Sequence, residues 1–410
     1  MKDWLHKNKY FLQLLGLPLL AILLWLWNPL HLSPEANKAV ATGMLMIGWW
    51  VIETLPMPAV ALLPLLLFPL LGISTIESTA KAYSNPVIFL FMGGFLLGLA
   101  IEKWNLHKRI ALLIVKRTGT SGNRIILGFI LACGFLSMWL SNTATTMMMF
   151  PIAMSVIAVM KEHEQPGTRI RNFSLVLMLV VAYASNIGGM ATIIGTPPNV
   201  AFVGFIEKKY NYSIQFLDWM LVCTPLALLL LAGMYVALTQ WMFPNRINNS
   251  KEANSFIEQE LQQLGPISHN EQRVLLIFIC TALLWITKDF LNQLNWFRLD
   301  DNMIAIAGAL ALFATPASKD QQTKSKQLLE WSDTSNMSWG ILLLFGGGIA
   351  LAGALEETGV MQLIGNSLAE TGPSNGIGIV LVVVVISIFL SEVMSNVAQV
   401  IVFAPVLAAI

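Results

Sequence analysis

Ser141-Asn142-Thr143-Ala144-Thr145-Thr146 is a run of small, mostly polar residues inside an otherwise apolar segment. Ile125-Ile126-Leu127-Gly128-Phe129-Ile130-Leu131 precedes it, and Met147-Met148-Met149-Phe150-Pro151-Ile152 follows it. In lipid every backbone N–H and C=O needs a partner, so irregular polar backbone is tolerated only against protein or a wet cavity. A cluster of hydroxyls and an amide at that depth points to a binding site. A second such word, Ser395-Asn396-Val397-Ala398-Gln399, stands far downstream. The expectation is two related halves around a polar centre.

Composition supports the bilayer. Of 410 residues, 56% are hydrophobic and 11% charged, with mean hydropathy +0.68, whereas a soluble domain carries about 25% charged residues. A net charge of +1 excludes a nucleic-acid-binding stripe or an acidic tail. Cys133, Cys223 and Cys280 sit in separate apolar segments and form neither a disulfide framework nor a metal spacing. The five histidines are scattered near segment ends and do not compose a metal site. The first apolar run, 11–27, follows Lys2, Lys7 and Lys9 but lacks a small-residue cleavage site, so it reads as a retained helix.

A spanning helix needs about 20 apolar residues, which places helices at 11–29, 39–55, 56–72 and 86–102. Glu53 and Pro56 mark a turn between the second and third, with Glu53 as a cap. The stretch 103–124 carries Lys103, Lys108, Arg109, Lys116, Arg117 and Arg124 and is cytoplasmic by the positive-inside rule. Four crossings back, the N-terminus is cytoplasmic too. The segment 125–160 is too long for one ordinary span at about 1.5 Å per residue, and its arms 125–140 and 147–160 are each too short. Basic residues flank it on both sides, with Lys161, Arg169 and Arg171 after it. The reading is a re-entrant hairpin with 141–146 at its tip.

The next segment, 173–206, is broken by Ser185-Asn186-Ile187-Gly188-Gly189 and by Gly195-Thr196-Pro197-Pro198-Asn199. Glycine permits non-helical backbone, and Thr196 before Pro197 suits an N-cap followed by proline at the first helical position. A helix at 216–243 leads to a polar connector, 244–273, holding a surface helix. Helices at 274–290 and 301–316, an inward loop with Lys319, Lys324 and Lys326, and a helix at 338–356 follow. The expected organisation is a first half, 1–243, the connector, and a second half, 274–410, ending in a hairpin at 376–410.

Sliding the chain on itself by 254 positions gives an ungapped match. Phe91 falls on Phe345, Glu102 on Glu356, Phe135-Leu136-Ser137 on Phe389-Leu390-Ser391, Ser141-Asn142 on Ser395-Asn396, and Pro151 on Pro405. The basic stretch 103–124 falls on 357–378, which has no Lys or Arg. If one loop is inside, the other is outside. This is the mark of inverted-topology repeats, whose interface holds substrate near the midplane. The register also predicts a counterpart of 185–199 at 439–453, so the sequence is expected to continue past Ile410.

No Lys or Arg lies within 125–160, 173–206 or 327–410. A buried anion costs several kcal/mol without compensation, which leaves helix N-termini and co-bound cations. Hydroxyls, amide oxygens and freed carbonyls suit a hard monovalent cation such as Na+. The paired Ser-Asn words, with Gly195-Thr196-Pro197-Pro198-Asn199 in a broken helix, resemble the divalent anion/sodium symporter family of dicarboxylate, citrate and sulfate carriers. The resemblance covers nearly the whole chain. It implies an all-α polytopic membrane protein of inverted repeats with re-entrant hairpins and broken helices, working as an elevator-type transporter and assembling as a homodimer. It also implies a bacterial inner-membrane location, a small anionic substrate and Na+ as coupling ion. By motif, Na+ ligands are Ser137, Ser141, Asn142, Gly188 and Gly189 in one half and Ser391, Ser395 and Asn396 in the other. Substrate contacts are Asn142, Thr143, Thr196, Pro198, Asn396 and Val397. Val397 stands where the family pattern has a threonine, which removes a hydroxyl from the substrate side.

Serines and threonines in membrane helices commonly bond the preceding turn instead of a ligand; here clustering and duplication favour function. Gly93, Gly94 and Gly346 to Gly348 read as close-packing positions, Met147 to Met149 as packing, and the tryptophans as interface anchors. Glu392, opposite Met138 in the repeat, is either a proton or cation ligand or faces an aqueous vestibule. Two alternatives are weighed. One is a carrier of similar architecture that is proton-coupled or moves another ion. The other is a polytopic membrane enzyme, for which Asp300-Asp301 is the one acidic pair at a helix end and has no accompanying catalytic motif. Neither displaces the symporter reading.

Overall fold

The computed structural model describes residues 9–163, 167–245, 247, 251–294, 298–318, 325–363, 376–391 and 395–407. Lys2, Lys7, Lys319, Lys324, Glu392 and the stretch 364–375 lie outside the described residues. The described chain is helical, with one isolated β-bridge between Pro316 and Gln327. Among the described residues six helices are long and apolar enough to cross a membrane. This is an all-α polytopic membrane protein. Its residues fall into two compact units, one built from 1–88, 200–213 and 338–410 and the other from 89–199 and 214–337.

The first unit contains α1 (Lys9–Trp27), α2 (Pro34–Ile52), α3 (Met57–Val60), α4 (Leu63–Leu71) and α5 (Ile76–Tyr83). The span expected at 56–72 is therefore two pieces that break at Ala61–Leu62, just ahead of Pro64, which has no N–H to continue the preceding turn. Ser33 caps α2 by accepting from the Ala36 amide, and Glu53 ends it with φ 55°, a cap as the sequence suggested. Further on come α16 (Trp339–Glu357), α17 (Gly376–Ser391) and α18 (Asn396–Leu407). Gly346, Gly347 and Gly348 of α16 face Tyr83, Ala61 and Ile401 respectively, each too close for a Cβ. They are packing positions.

The second unit contains most of α6 (Pro86–Lys103), then α7 (Leu106–Thr118), α8 (Gly122–Ser137), α9 (Asn142–His163) and α10 (Thr168–Gly189). After the start of α11 (Pro197–Tyr210) it continues with α12 (Phe216–Val236), α13 (Lys251–Gln263), α14 (His269–Gln293) and α15 (Asp301–Ala314). The basic stretch read as a loop is thus largely an amphipathic helix. In α7 Leu106, Arg109, Ala111, Leu112 and Val115 are buried. Lys108 and Lys116 pair with Glu260 and Glu258 of α13 at 2.8 and 3.1 Å. The connector helix expected in 244–273 therefore lies on the basic helix by charge. Two further tryptophan expectations are corrected. Trp50 and Trp285 are fully buried, with indole N–H groups donating to Met57 O at 3.2 Å and Asp301 O at 3.1 Å.

Arg109 is a buried cation with several partners. Its guanidinium pairs with Glu271 at 3.1 Å and donates to the Gly265, Leu264 and Pro266 carbonyls at 2.9, 3.2 and 3.4 Å. Glu271 in turn completes the capping box of α14 with Ser268. Truncating one partner of a buried pair costs about 3–5 kcal/mol because the other charge is left uncompensated. Arg109→Ala is accordingly expected to lower thermal stability by several degrees in detergent, whereas Lys116→Ala, exposed, leaves the midpoint within about one degree.

The repeat register reappears in the element boundaries. Both α9 and α18 begin on the Asn of the polar word, Asn142 and Asn396, while α6 and α16 end at Lys103 and Glu357. Every pair is 254 positions apart.

Candidate functional site

In the second unit the polar word adopts a tighter form than expected. Ser141 is the N-cap: its Oγ accepts from the Ala144 amide at 3.2 Å and its carbonyl from the Thr145 amide at 3.0 Å. Helix α9 therefore begins at Asn142 and runs 22 residues. The expectation that this arm is too short to span is corrected, because residues 142–146 are helical and the turn is confined to 138–141.

Asn142 is the hub. Its Oδ1 accepts from Ser137 Oγ at 2.7 Å, and its Nδ2 donates to Asn186 Oδ1 at 3.0 Å. A Cβ on Gly189 would lie 2.3 Å from Asn142 Oδ1, and one on Gly188 would lie 2.3 Å from the Gly134 carbonyl oxygen. The end of α10 therefore approaches α8 and the start of α9 at backbone distance. Only glycine fits there.

Past Gly189 the chain leaves helical geometry. Thr192 and Thr196 are extended on either side of a short 3-10 turn, Ile193–Gly195. Thr192 Oγ1 donates to Met138 O at 2.5 Å, joining the break in α10–α11 to the α8–α9 turn. Buried Asn199 donates through Nδ2 to Gly189 O at 3.0 Å and Thr192 O at 2.8 Å. A Cβ on Gly195 would meet Gly189 O at 2.5 Å and Ser137 O at 2.9 Å. Ser137, Asn142, Gly188 and Gly189 are thus brought together, with Thr196 and Pro198 opening α11 beside them.

Two buried polar atoms in this region have no hydrogen-bond partner, Trp139 Nε1 in the α8–α9 turn and Thr145 Oγ1. Thr145, in the first turn of α9, is fully buried and its Oγ1 has no hydrogen-bond partner. A buried hydroxyl left unpaired costs about 1–3 kcal/mol. It follows Asn142 by three positions, on the same helix face. Thr143, by contrast, is exposed.

The corresponding word in the first unit is built differently. Ser395 again caps its helix, accepting from the Ala398 amide at 3.2 Å, and its hydroxyl also reaches Met57 Sδ at 3.5 Å. Ser391 Oγ turns back to Ile388 O at 2.7 Å and is not brought to Asn396 by a hydrogen bond. At the position matching Thr145 stands Gln399, which donates to both Ser387 O and Ser387 Oγ at 2.6 Å. Asn396 is exposed and Val397 half-buried.

Sequence reasoning passed over Asn186, Thr192 and Asn199 as functional groups, although it quoted the words that contain Asn186 and Asn199. The acidic pair considered for an enzyme is structural: Asp300 caps α15 through the Asn302 amide at 2.8 Å. Asp301 pairs with buried Lys288 at 2.8 Å and accepts from the Phe216 amide at 2.9 Å.

A family model described as the sodium:sulfate symporter transmembrane region matches residues 7–410. A protein named sodium-dependent dicarboxylate transporter SdcS from Staphylococcus saprophyticus is 36% identical over 406 residues, covering 97% of this chain and 78% of the relative. Its namesake from Staphylococcus aureus strain USA300 is 37% identical with the same coverage.

Proposed function

The chain belongs to the sodium:sulfate symporter family, and on that premise we propose that it is a secondary active transporter coupling Na+ to the symport of a divalent anion. The substrate class is a di- or tricarboxylate such as succinate, malate or citrate, or sulfate. The dicarboxylate named for the relatives puts succinate first. The observation that carries the reading is the set of neutral oxygens around Asn142. Ser137, the Gly189 carbonyl and the unpaired Thr145 hydroxyl lie in segments with no Lys or Arg.

Such a set suits Na+, whose charge then offsets that of the anion. The Coulombic logic orders the events. A dianion entering before the cation meets only partial charges at helix N-termini, each roughly half an elementary charge. With Na+ held by the amide and hydroxyl oxygens, the first-turn N–H groups of α9 and the Asn142 and Thr143 side chains complete the carboxylate or sulfate contacts. Thr196 and Pro198 bound the same region, and Ser391, Ser395, Asn396 and Val397 are the corresponding residues of the second repeat. The inverted-repeat reading rests on the 254-residue register and the uneven basic charge. Family membership supports elevator motion, a homodimer and a bacterial inner membrane, and the basic flanks support a cytoplasmic N-terminus.

The test is uptake of labelled succinate into proteoliposomes with and without an inward Na+ gradient, with unlabelled citrate and sulfate as competitors. Gradient-dependent uptake is expected. Uptake indifferent to Na+ but driven by a proton gradient sinks the Na+ assignment and returns attention to Glu392. The isosteric change Thr145→Val sharpens the test. It is expected to raise the half-saturating Na+ concentration roughly tenfold, the equivalent of about 1.4 kcal/mol, without lowering thermal stability.

A further inference from the structure

Helices α9 and α10 enclose a groove of about 830 Å³ at the end remote from Asn142 and Gly189. Its walls are apolar: Met154, Ile157, Ile170, Leu175, Met178 and Leu179. At one end stand Lys161, the single Lys or Arg of α9, and Arg171, in the first turn of α10. Both side chains are exposed, and among the described residues neither forms an ion pair. Among the described residues no acidic residue lines the groove.

We propose that this groove is a binding site for an anionic glycerophospholipid, with one acyl chain along the α9–α10 seam and the phosphate between Lys161 and Arg171. From Gly167 to Ala182 the groove follows about 22 Å of helix at ~1.5 Å per residue, the reach of one long acyl chain. Its charged end lies on the basic flank of the two spans, where the positive-inside rule puts the cytoplasmic leaflet. Both helices are long and apolar enough to be spans, so the hydrocarbon lining faces lipid depth while the two cations reach the headgroup layer. An aqueous metabolite matches the cations but not the long apolar wall. A zwitterionic lipid fits the wall but gains little from the cations. The same helices carry Asn142 and Gly188–Gly189 at their other ends, so an occupant there braces the helix pair that frames the ion site.

The experiment uses the full chain purified in detergent. Binding of dioleoyl phosphatidylglycerol and dioleoyl phosphatidylcholine, identical in their chains, is compared by native mass spectrometry and thermal shift. Glycerol phosphate serves as a headgroup without a chain. Two surface cations near a lipid phosphate predict roughly 30-fold tighter binding of the anionic lipid. Lys161→Gln with Arg171→Gln is expected to erase that preference, and Lys161→Arg with Arg171→Lys to keep it. Ser174→Phe leaves both charges and fills the groove, and is expected to weaken both lipids. Equal binding of the two lipids overturns the proposal. So does a preference that survives the glutamine pair, binding unchanged by Ser174→Phe, or glycerol phosphate competing at lipid concentrations. Cross-linking that finds a second copy of the chain seated on the groove also overturns it.

Discussion

Asn142→Ala is expected to reduce Na+-driven uptake at least roughly 100-fold, to the level of empty liposomes, while the protein stays folded and monodisperse. The carboxamide satisfies Ser137 through its oxygen and Asn186 through its nitrogen. In the proposed function it also contacts both cation and anion. Losing about 3 kcal/mol of charge-assisted interaction is a factor of roughly 100. A merely structural role for Asn142 predicts something else: lower stability with uptake per folded molecule intact. The thermal shift caused by Na+ relative to K+, at equal ionic strength, separates the two. Wild type should be stabilised by Na+ specifically and Asn142→Ala should not. Asn142→Asp adds a sharper contrast. The added negative charge should strengthen Na+ binding and weaken anion binding, moving the two half-saturation constants in opposite directions.

The second large effect is steric. Gly188→Ala places a methyl 2.3 Å from the Gly134 carbonyl oxygen and 2.6 Å from its Cα. Those are backbone atoms, so α8 and α10 must separate. Overpacking of this kind costs about 1–3 kcal/mol, occasionally more. The separation also moves Gly189 away from Asn142. We expect uptake to fall at least tenfold together with a lower melting temperature. The reverse substitution at the same crossing, Gly134→Ala, meets only Leu231 Cδ1 at 2.9 Å, the tip of a side chain that can rotate. It should retain most of the uptake. Equal damage from both variants would falsify the claim that close backbone contact at Gly188 sets the site. Uptake assays beside melting curves in detergent decide it.

Several features were legible because they depend on neighbours in sequence. Glu53 closes α2 in a left-handed conformation, and a cap needs only its own near neighbours. The extended Thr196 before Pro197 is equally local, since proline disfavours helical geometry in the residue before it. The repeat needed no structure, because two copies of one chemistry leave the same spacing in the chain. The helical reach of 142–146 was missed for a related reason. Small polar residues disfavour helix interiors on average, yet a capped first turn accepts them.

What the chain by itself determined is therefore its class, its broken helices, its repeat and the residue types at each tip. The choice of partners belonged to the tertiary structure. Asn142 finds Asn186 and Gly189, Thr192 finds Met138, and Arg109 finds Glu271, at sequence separations of 44 or more. Hydrogen bonds and close approaches at that range leave no periodic trace in sequence, because they depend on where whole helices pack. The same packing gives Ser137 and Ser391 different partners from matching positions, the Asn142 amide for one and its own helix for the other. It also leaves Thr145 unpaired while Gln399 ties down its counterpart helix. Local chemistry chose the polar groups; helix packing chose which of them are left without a partner.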